Sequence, residues 1–342
     1  MTALSGEELG LLADTASSIL APRCTPERVD RATAAGWDRE LWNVLEEHGL
    51  TRVAADIDVA DGAWPAAAEI AAQAGRHAAV APVAETQVAA YLLARCGAAV
   101  PAGPLSVCLD GAADGVARRV PYGQIAAAVV VAGQDSLRIV RPSAAARAFA
   151  NLAGEPRADI AFDQAGAQLP ADPAVLGAAR ALLRLLRAAL ILGAAERCLD
   201  LTVGYVRERR QFGRPLAAFQ SVQQQVAIMG GETALMRAAV DGAVAALSDA
   251  DAAGAADAAR EYAAFAVDCA KAQAGVGATT VARIAHQLHG AIGTTREHAL
   301  RLATTRLWAW SAEDGSQAQL CTATGARVLA AGPDSLWPMI AR

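Results

Sequence analysis

The spacing of apolar and polar positions divides the chain into three stretches. In residues 4–21 and 37–49, Leu, Ala and Trp recur at intervals of three and four. That period predicts amphipathic helices, the second running out at His48-Gly49. The pattern repeats over 64–77 and 83–97, stopping near Gly75 and Gly97, so residues 1–102 read as a helical unit. The texture changes at Val100-Pro-Ala-Gly-Pro104. Short apolar runs follow (LSVCL, GQIAAAVVVAG, SLRIV, ADIAF), separated by Asp-Gly, Pro-Tyr-Gly and Gly-Gln-Asp turn signals. Residues 103–171 therefore read as a small β-unit. After Asp172-Pro173 the helical period returns and dominates residues 172–342, with breaks expected at 211–215, 249–256 and 290–294. Segregated runs in the order α, β, α predict an α+β, mainly α architecture, not a doubly wound sheet.

Composition sharpens this picture. Hydrophobic residues make up 54% of the 342 positions but aromatics only 4%, so the core is built from the helix formers Ala and Leu, with Val. A net charge of −5 argues against a nucleic-acid partner. The opening MTALSGEELG has no basic or apolar leader region, which predicts no signal peptide and a cytoplasmic chain. The most apolar helix, Leu176 to Leu201, is interrupted by Arg180, Arg184 and Arg187, so it reads as buried in protein, not in a membrane. Cysteines at 24, 96, 108, 198, 269 and 321 form no CxxC pair and read as reduced hydrophobes, not as a metal or disulfide framework. Lysine occurs once, at Lys271; arginine carries the remaining positive charge and favours planar, bidentate contacts.

Two motifs carry candidate chemistry. YVRERRQFGRPLAAFQ at 205–220 places arginines at 207, 209, 210 and 214 beside Phe212 and Gly213. One reading is a helix end: cations at the negative pole of the helix dipole, Gly213 as left-handed cap, Pro215 as stop. The other is an anion site, with Arg209 binding phosphate and an aromatic beside it. The second motif, Gln287-Leu-His-Gly290-Ala-Ile-Gly293, lies at another predicted helix end, where glycines permit close backbone approach. Arg180, Arg184 and Arg187 share one helix face, open to an anion, a subunit contact or solvent. His289 and His298 have no companions at metal-ligand spacing.

Together, YVRERRQFGRPLAAFQSVQQQVAIM and QLHGAIGTTREHALRLATTR resemble the acyl-CoA dehydrogenase family, and the order of units extends the resemblance over nearly the whole chain. It implies a helical domain, a small β-barrel and a C-terminal four-helix bundle, with FAD at a dimer interface. Carried over, Arg209 is similar to the pyrophosphate ligand, with Phe212 and Gln220 on the same stretch and Gln287 and Gly290 beside the adenosine half, all reaching a neighbouring subunit's FAD. Two departures stand out. The Thr-Glu-Pro-Gly-like loop and Trp-x-Thr-like strand that clasp the flavin ring have no counterpart in residues 103–170, where the nearest stretch is Arg119-Val-Pro-Tyr-Gly-Gln124. The helical position of the family's catalytic Glu falls on Leu183, although Arg184 keeps the arginine that follows. The alternative position, before the last helix, falls on Glu313 in Glu313-Asp-Gly-Ser-Gln317, where an apolar pocket could tune a carboxylate towards neutral pKa.

These features resemble the smaller subunit of the heterotetrameric acyl-CoA dehydrogenases of actinobacterial steroid catabolism. The resemblance implies α,β-dehydrogenation of an acyl-CoA thioester, an α2β2 assembly with a larger homologous subunit, and an acceptor such as electron-transfer flavoprotein. Two other expectations stay open: a self-sufficient homo-oligomer with Glu313 as base, and a structural subunit without flavin contact.

Overall fold

The computed structural model describes residues 4–334 except 111, 113, 143, 144 and 252–256, together with Trp337. Six helices come first: α1 (Gly6–Leu20), α2 (Pro26–Ala35), α3 (Arg39–Glu47), α4 (Val53–Asp56), α5 (Ala63–Arg76) and α6 (Val83–Arg95). A capping box between Ser5 and Glu8 opens α1, and the Asp38 side chain caps α3 by accepting from the Leu41 amide. α5 and α6 are buried along most of their length, which their small alanines permit without voids.

Among the described residues seven short strands follow: β1 (Leu105–Cys108), β2 (Val116–Pro121), β3 (Ala128–Ala132), β4 (Ser136–Val140), β5 (Ala145–Ala150), β6 (Pro156–Ala161) and β7 (Leu169–Pro170). They form two sheets, β1-β3-β4-β7 with β1 and β3 parallel, and β2-β6-β5, which is antiparallel. β3 reads AVVVA because both of its faces are covered. Val129 and Val131 meet the second sheet's Ala117, Val120 and Ile160, whereas Ala128, Val130 and Ala132 join the helical core. The strand's period of two thus ties the β-unit to the helices.

The C-terminal helices are α7 (Pro173–Glu208), α8 (Gln220–Asp251), α9 (Asp257–His289), α10 (Leu300–Ser311) and α11 (Gln317–Ala331). α7 starts with Asp172 accepting from the Ala174 amide at 2.8 Å and Pro173 in the first turn. It crosses α5 at backbone contact: a Cβ on Gly75 would lie 2.1 Å from the Leu190 carbonyl oxygen, and one on Gly193 1.8 Å from that of Ala72. Glycine at both positions is what lets α7 lie this deep. The predominantly helical architecture agrees with the sequence pattern. The expected break at 249–256 falls mostly on residues outside those described; α8 runs to Asp251 and α9 begins at Asp257.

The break at 211–215 differs from a helix stop. α7 ends at Glu208, Arg209 is already extended (ψ 122°), and β8 (Arg210–Gln211) pairs with β9 (Arg214–Pro215). Phe212 (φ 51°) and Gly213 (φ 81°) form the two-residue turn between them. Two successive positive φ angles are what a type I′ hairpin demands. Gly213 therefore turns a hairpin and does not cap α7. The other break is a 3-10 turn at Gly290–Thr294.

Candidate functional site

A cleft of about 740 Å³ lies where the first half of α7, the ends of β1 and β2, α6 and the α10–α11 loop converge. Leu183 lines it, and so do all three arginines of the α7 face. None of the three serves a free surface. Arg180 donates to the Leu109 carbonyl at 3.2 Å; Arg184 donates to Asp268 at 2.8 Å and to the Asp314 carbonyl at 3.2 Å. Arg187, buried to 3% exposure, donates to Glu85 at 2.8 Å and to the Asp314 carboxylate at 2.7 Å.

From Arg187 a chain of charges continues through the protein. Its other terminal nitrogen lies 3.7 Å from Glu313. Glu313 accepts two bonds from Arg157 Nη2, at 2.7 and 2.8 Å, and one from Asn151 at 3.1 Å. Arg157 also lies 3.4 Å from Glu155, which accepts from the Trp310 indole and from Asn151, each at 2.9 Å. Beneath the loop, the fully buried Lys271 donates to the carbonyls of Gly315 (3.1 Å) and Ser311 (3.3 Å). Burial pushes its ammonium down to about 8, partly offset by Asp314.

The expected tuning of Glu313 towards neutral pKa is corrected by these contacts. Burial alone would raise its pKa, but Arg187 and Arg157 outweigh that and hold the carboxyl below its ordinary 4.5. Its surroundings are cationic, not apolar. Asp314 (φ 55°) and Gly315 (φ 106°) bend the loop so that both acids face the arginines.

The hairpin is the opposite environment. Arg209, Phe212 and Gln220 are all exposed, Phe212 to 91%. Among the contacts of the described residues Arg209 has no carboxylate partner, whereas Arg210 donates to the Gly213 carbonyl at 3.2 Å and Arg214 lies 4.0 Å over the Phe219 ring. Arg210 belongs to the extended β8, so it differs from Arg209 by strand geometry and not by a rotation around α7. An exposed aromatic in left-handed backbone is strained and gains nothing from this chain's own core.

The second motif lies at the same end of the bundle. Tyr205, in the last turn of α7, stacks on His289 at 4.4 Å and donates to its carbonyl at 3.4 Å. Gly290 (φ 66°) follows directly, and Gln287 is exposed on the last turn of α9. The fold thus brings the Arg209 and Gln287–Gly290 segments to one end of the bundle, while Glu313, Arg184 and Leu183 lie at the cleft. His289 is absorbed in the stack, and among the described residues no cluster of His, Cys, Asp or Glu could hold a metal.

The residues at the hairpin suit an anion: Arg209 is an exposed guanidinium without a carboxylate partner among the described contacts, on the same short stretch as the exposed Phe212 and Gln220. The cleft is of mixed character: Val107, Leu109, Leu183 and Leu320 line it beside arginines, of which Arg157, Arg184 and Arg187 are paired with carboxylates of the same chain. Glu85, Arg157 and Asp314 are absent from the candidate residues read from the sequence, and Arg187 figures there only as part of an arginine face with no partner assigned. Their signal there is slight: single charges inside apolar runs such as PVAETQVAAYLL.

No described helix is long and apolar enough to cross a membrane. A family model described as acyl-CoA dehydrogenase, C-terminal domain, matches residues 176–329. Acyl-CoA dehydrogenase IpdE2 of Mycobacterium tuberculosis is 33% identical over 307 residues, covering 86% of this chain and 89% of that protein. Among solved structures, the Tcur3481-Tcur3483 steroid ACAD superposes with a TM-score of 0.81 at 26% identity, over 94% of this chain and 97% of that one. The ChsE4-ChsE5 complex from Mycobacterium tuberculosis shares the fold, with a TM-score of 0.78 at 23% identity over 97% and 100%. Sequence identity over most of both chains, the C-terminal match and the common fold together make this chain a member of the acyl-CoA dehydrogenase family.

Proposed function

We propose that this chain is the flavin-sharing subunit of a heteromeric, FAD-dependent acyl-CoA dehydrogenase, and that its homologous partner holds the catalytic Glu and the flavin ring. The observation that carries the reading is the separation of the two regions along α7. Arg187 and Arg209 are 22 residues apart, about 33 Å at the helical rise of ~1.5 Å per residue. That is longer than an extended flavin dinucleotide, so a cofactor touched by Arg209 has its ring outside this chain's own cleft. The names of two structural neighbours, Tcur3481-Tcur3483 and ChsE4-ChsE5, describe two-component proteins and support a partner of the same family.

FAD, when bound, supplies the acceptor for the β-hydrogen of the acyl-CoA as hydride. This chain's part is to hold the dinucleotide. Arg209 neutralises the pyrophosphate, Phe212 and Gln220 line the same stretch, and Gln287 with Gly290 closes on the adenosine side. Leu183 cannot accept a proton, and Glu313, fixed by Arg157 and Arg187, serves as an anchor of the α10–α11 loop, with Arg184 bracing the same loop. Proton abstraction therefore belongs to the partner. The electron acceptor is of the electron-transfer flavoprotein type, and the chain works in the cytoplasm.

Arg209→Ala in the assembled complex tests this. A charge-assisted bond is typically worth about 1.5–3 kcal/mol, so FAD affinity should fall roughly ten- to a hundredfold. Arg209→Lys should recover part of the loss, because an ammonium lacks the guanidinium fork. Unchanged flavin retention in Arg209→Ala would favour a structural subunit instead.

A further inference from the structure

A second, shallower cleft of about 540 Å³ opens beside the Gln287 segment, lined by Thr279, Arg283, His286, Gln287 and Trp308. Its floor is an aromatic platform. The Trp308 ring stacks almost parallel on the His286 imidazole, 5.4 Å between centroids and 14° between planes. Trp308 nevertheless keeps 41% of its surface exposed, in a chain whose other stacked or core tryptophans, Trp42, Trp64 and Trp310, are buried. A hydrogen bond between its Nε2 and the Thr304 hydroxyl, at 3.0 Å, holds the imidazole in this orientation. Its Nδ1 is buried without a hydrogen-bond partner. Arg283 and Gln287, on successive turns of α9, are both exposed at the rim.

A rigid aromatic face, backed by a second ring and rimmed by a guanidinium and an amide, is suited to a flat heteroaromatic ring with polar edges. Stacking supplies the affinity, and the amide and guanidinium meet ring nitrogens and ribose hydroxyls. We propose that Trp308, backed by His286, is the stacking platform for a purine ring, the adenine end of the dinucleotide whose pyrophosphate Arg209 holds. This rests on the proposed sharing of FAD and extends it to residues no motif marks. Gln287 joins the two: it belongs to the Gln-x-x-Gly segment and to the wall of this cleft. The account makes Trp308 a determinant of preference for FAD over FMN, since FMN has no adenine.

Equilibrium binding to the flavin-stripped complex separates the possibilities, with FAD, ADP and FMN as probes. Base stacking on an aromatic typically contributes enough that its removal costs about ten- to a hundredfold in affinity. Trp308→Ala and Trp308→Leu should both lose that much for FAD and ADP and nothing for FMN, while Trp308→Phe should keep most of it. Leu fills much of the space without a π-face, so it controls for loss of packing. Equal losses for FMN, wild-type affinity in Trp308→Leu, or weaker subunit association with unaltered ADP binding would each overturn the platform. If Arg209→Ala weakens FAD binding and the Trp308 variants do not, the sharing of FAD stands and the platform falls. If neither weakens it, the sharing itself fails.

Discussion

The middle and the end of α7 both carry arginines, and they use them in opposite ways. Arg187, in the middle, is enclosed by Glu85, Asp314 and Glu313, so every charge has a counter-charge from the same chain. Arg209, at the end, stands in solvent beside an exposed, strained Phe212 and has no acid of its own among the described residues. A buried guanidinium without partners would be prohibitively costly, so the middle of α7 can hold Arg187 only as part of a closed network. An exposed guanidinium costs little and is available to an anion that arrives from elsewhere. The difference teaches that the arginines lining the cleft are neutralised by this chain's own acids and carbonyls, while the guanidinium at the hairpin is left exposed.

Breaking the closed network should give the largest effect on stability. Arg187→Ala leaves the buried Glu85 and the half-buried Asp314 without their cation and should lower stability by about 3–5 kcal/mol, read as a shift of the denaturant midpoint. Arg209→Ala should shift the same midpoint by less than about 0.5 kcal/mol, as for an ordinary surface substitution.

The next effect is a pH dependence. Lys271 titrates near 8 in the fold against 10.5 when unfolded, so between those values the unfolded chain binds a proton that the native chain does not. Stability should therefore rise with pH across that window, by roughly 2–4 kcal/mol. Comparing wild type with Lys271→Met by denaturant titration from pH 7 to 11 isolates the contribution; parallel curves would remove Lys271 from the account.

Glu313→Gln distinguishes an anchor from a base. Losing a hydrogen-bonded charge to Arg157 should cost about 1–3 kcal/mol of stability, whereas turnover of the complex should change by less than about tenfold, or ~1.4 kcal/mol of barrier. Because the Glu313 pKa is depressed in the fold, its contribution is present above pH 4.5 and lost as pH falls through the lower folded value. The wild type should thus lose more stability on acidification than the variant. A loss of several orders of magnitude in turnover would make Glu313 the base. The smallest expected change is Arg210→Ala, whose guanidinium is engaged with the hairpin's own Gly213, and which should leave flavin affinity within a few-fold of wild type.

Much of this contrast was legible before the fold was seen, but unevenly. The helical periods and the turn-rich middle stretch foretell the order of elements, because period and turn chemistry are local. The segment at 211–215 was legible as a break and not as a hairpin. A helix cap and a type I′ turn both ask for glycine at positive φ, so Phe212-Gly213 reads equally well as either. The network was almost invisible. Glu85, Arg157, Arg187 and Glu313 come from four distant parts of the chain; the first two read as single charges in apolar surroundings, and Glu313 and Arg187, which do stand out, give no sign of pairing with each other. Only the convergence of α6, β6, α7 and the α10–α11 loop shows that they neutralise one another.

The most direct test of the central claim is a flavin count. This chain purified alone should carry far less than one FAD per chain, and the complex with its homologous partner should carry one FAD for each pair of chains. Stoichiometric FAD on this chain alone, or one FAD on every chain of the complex, would contradict the claim that the flavin ring is held by the partner and that the hairpin serves a neighbour.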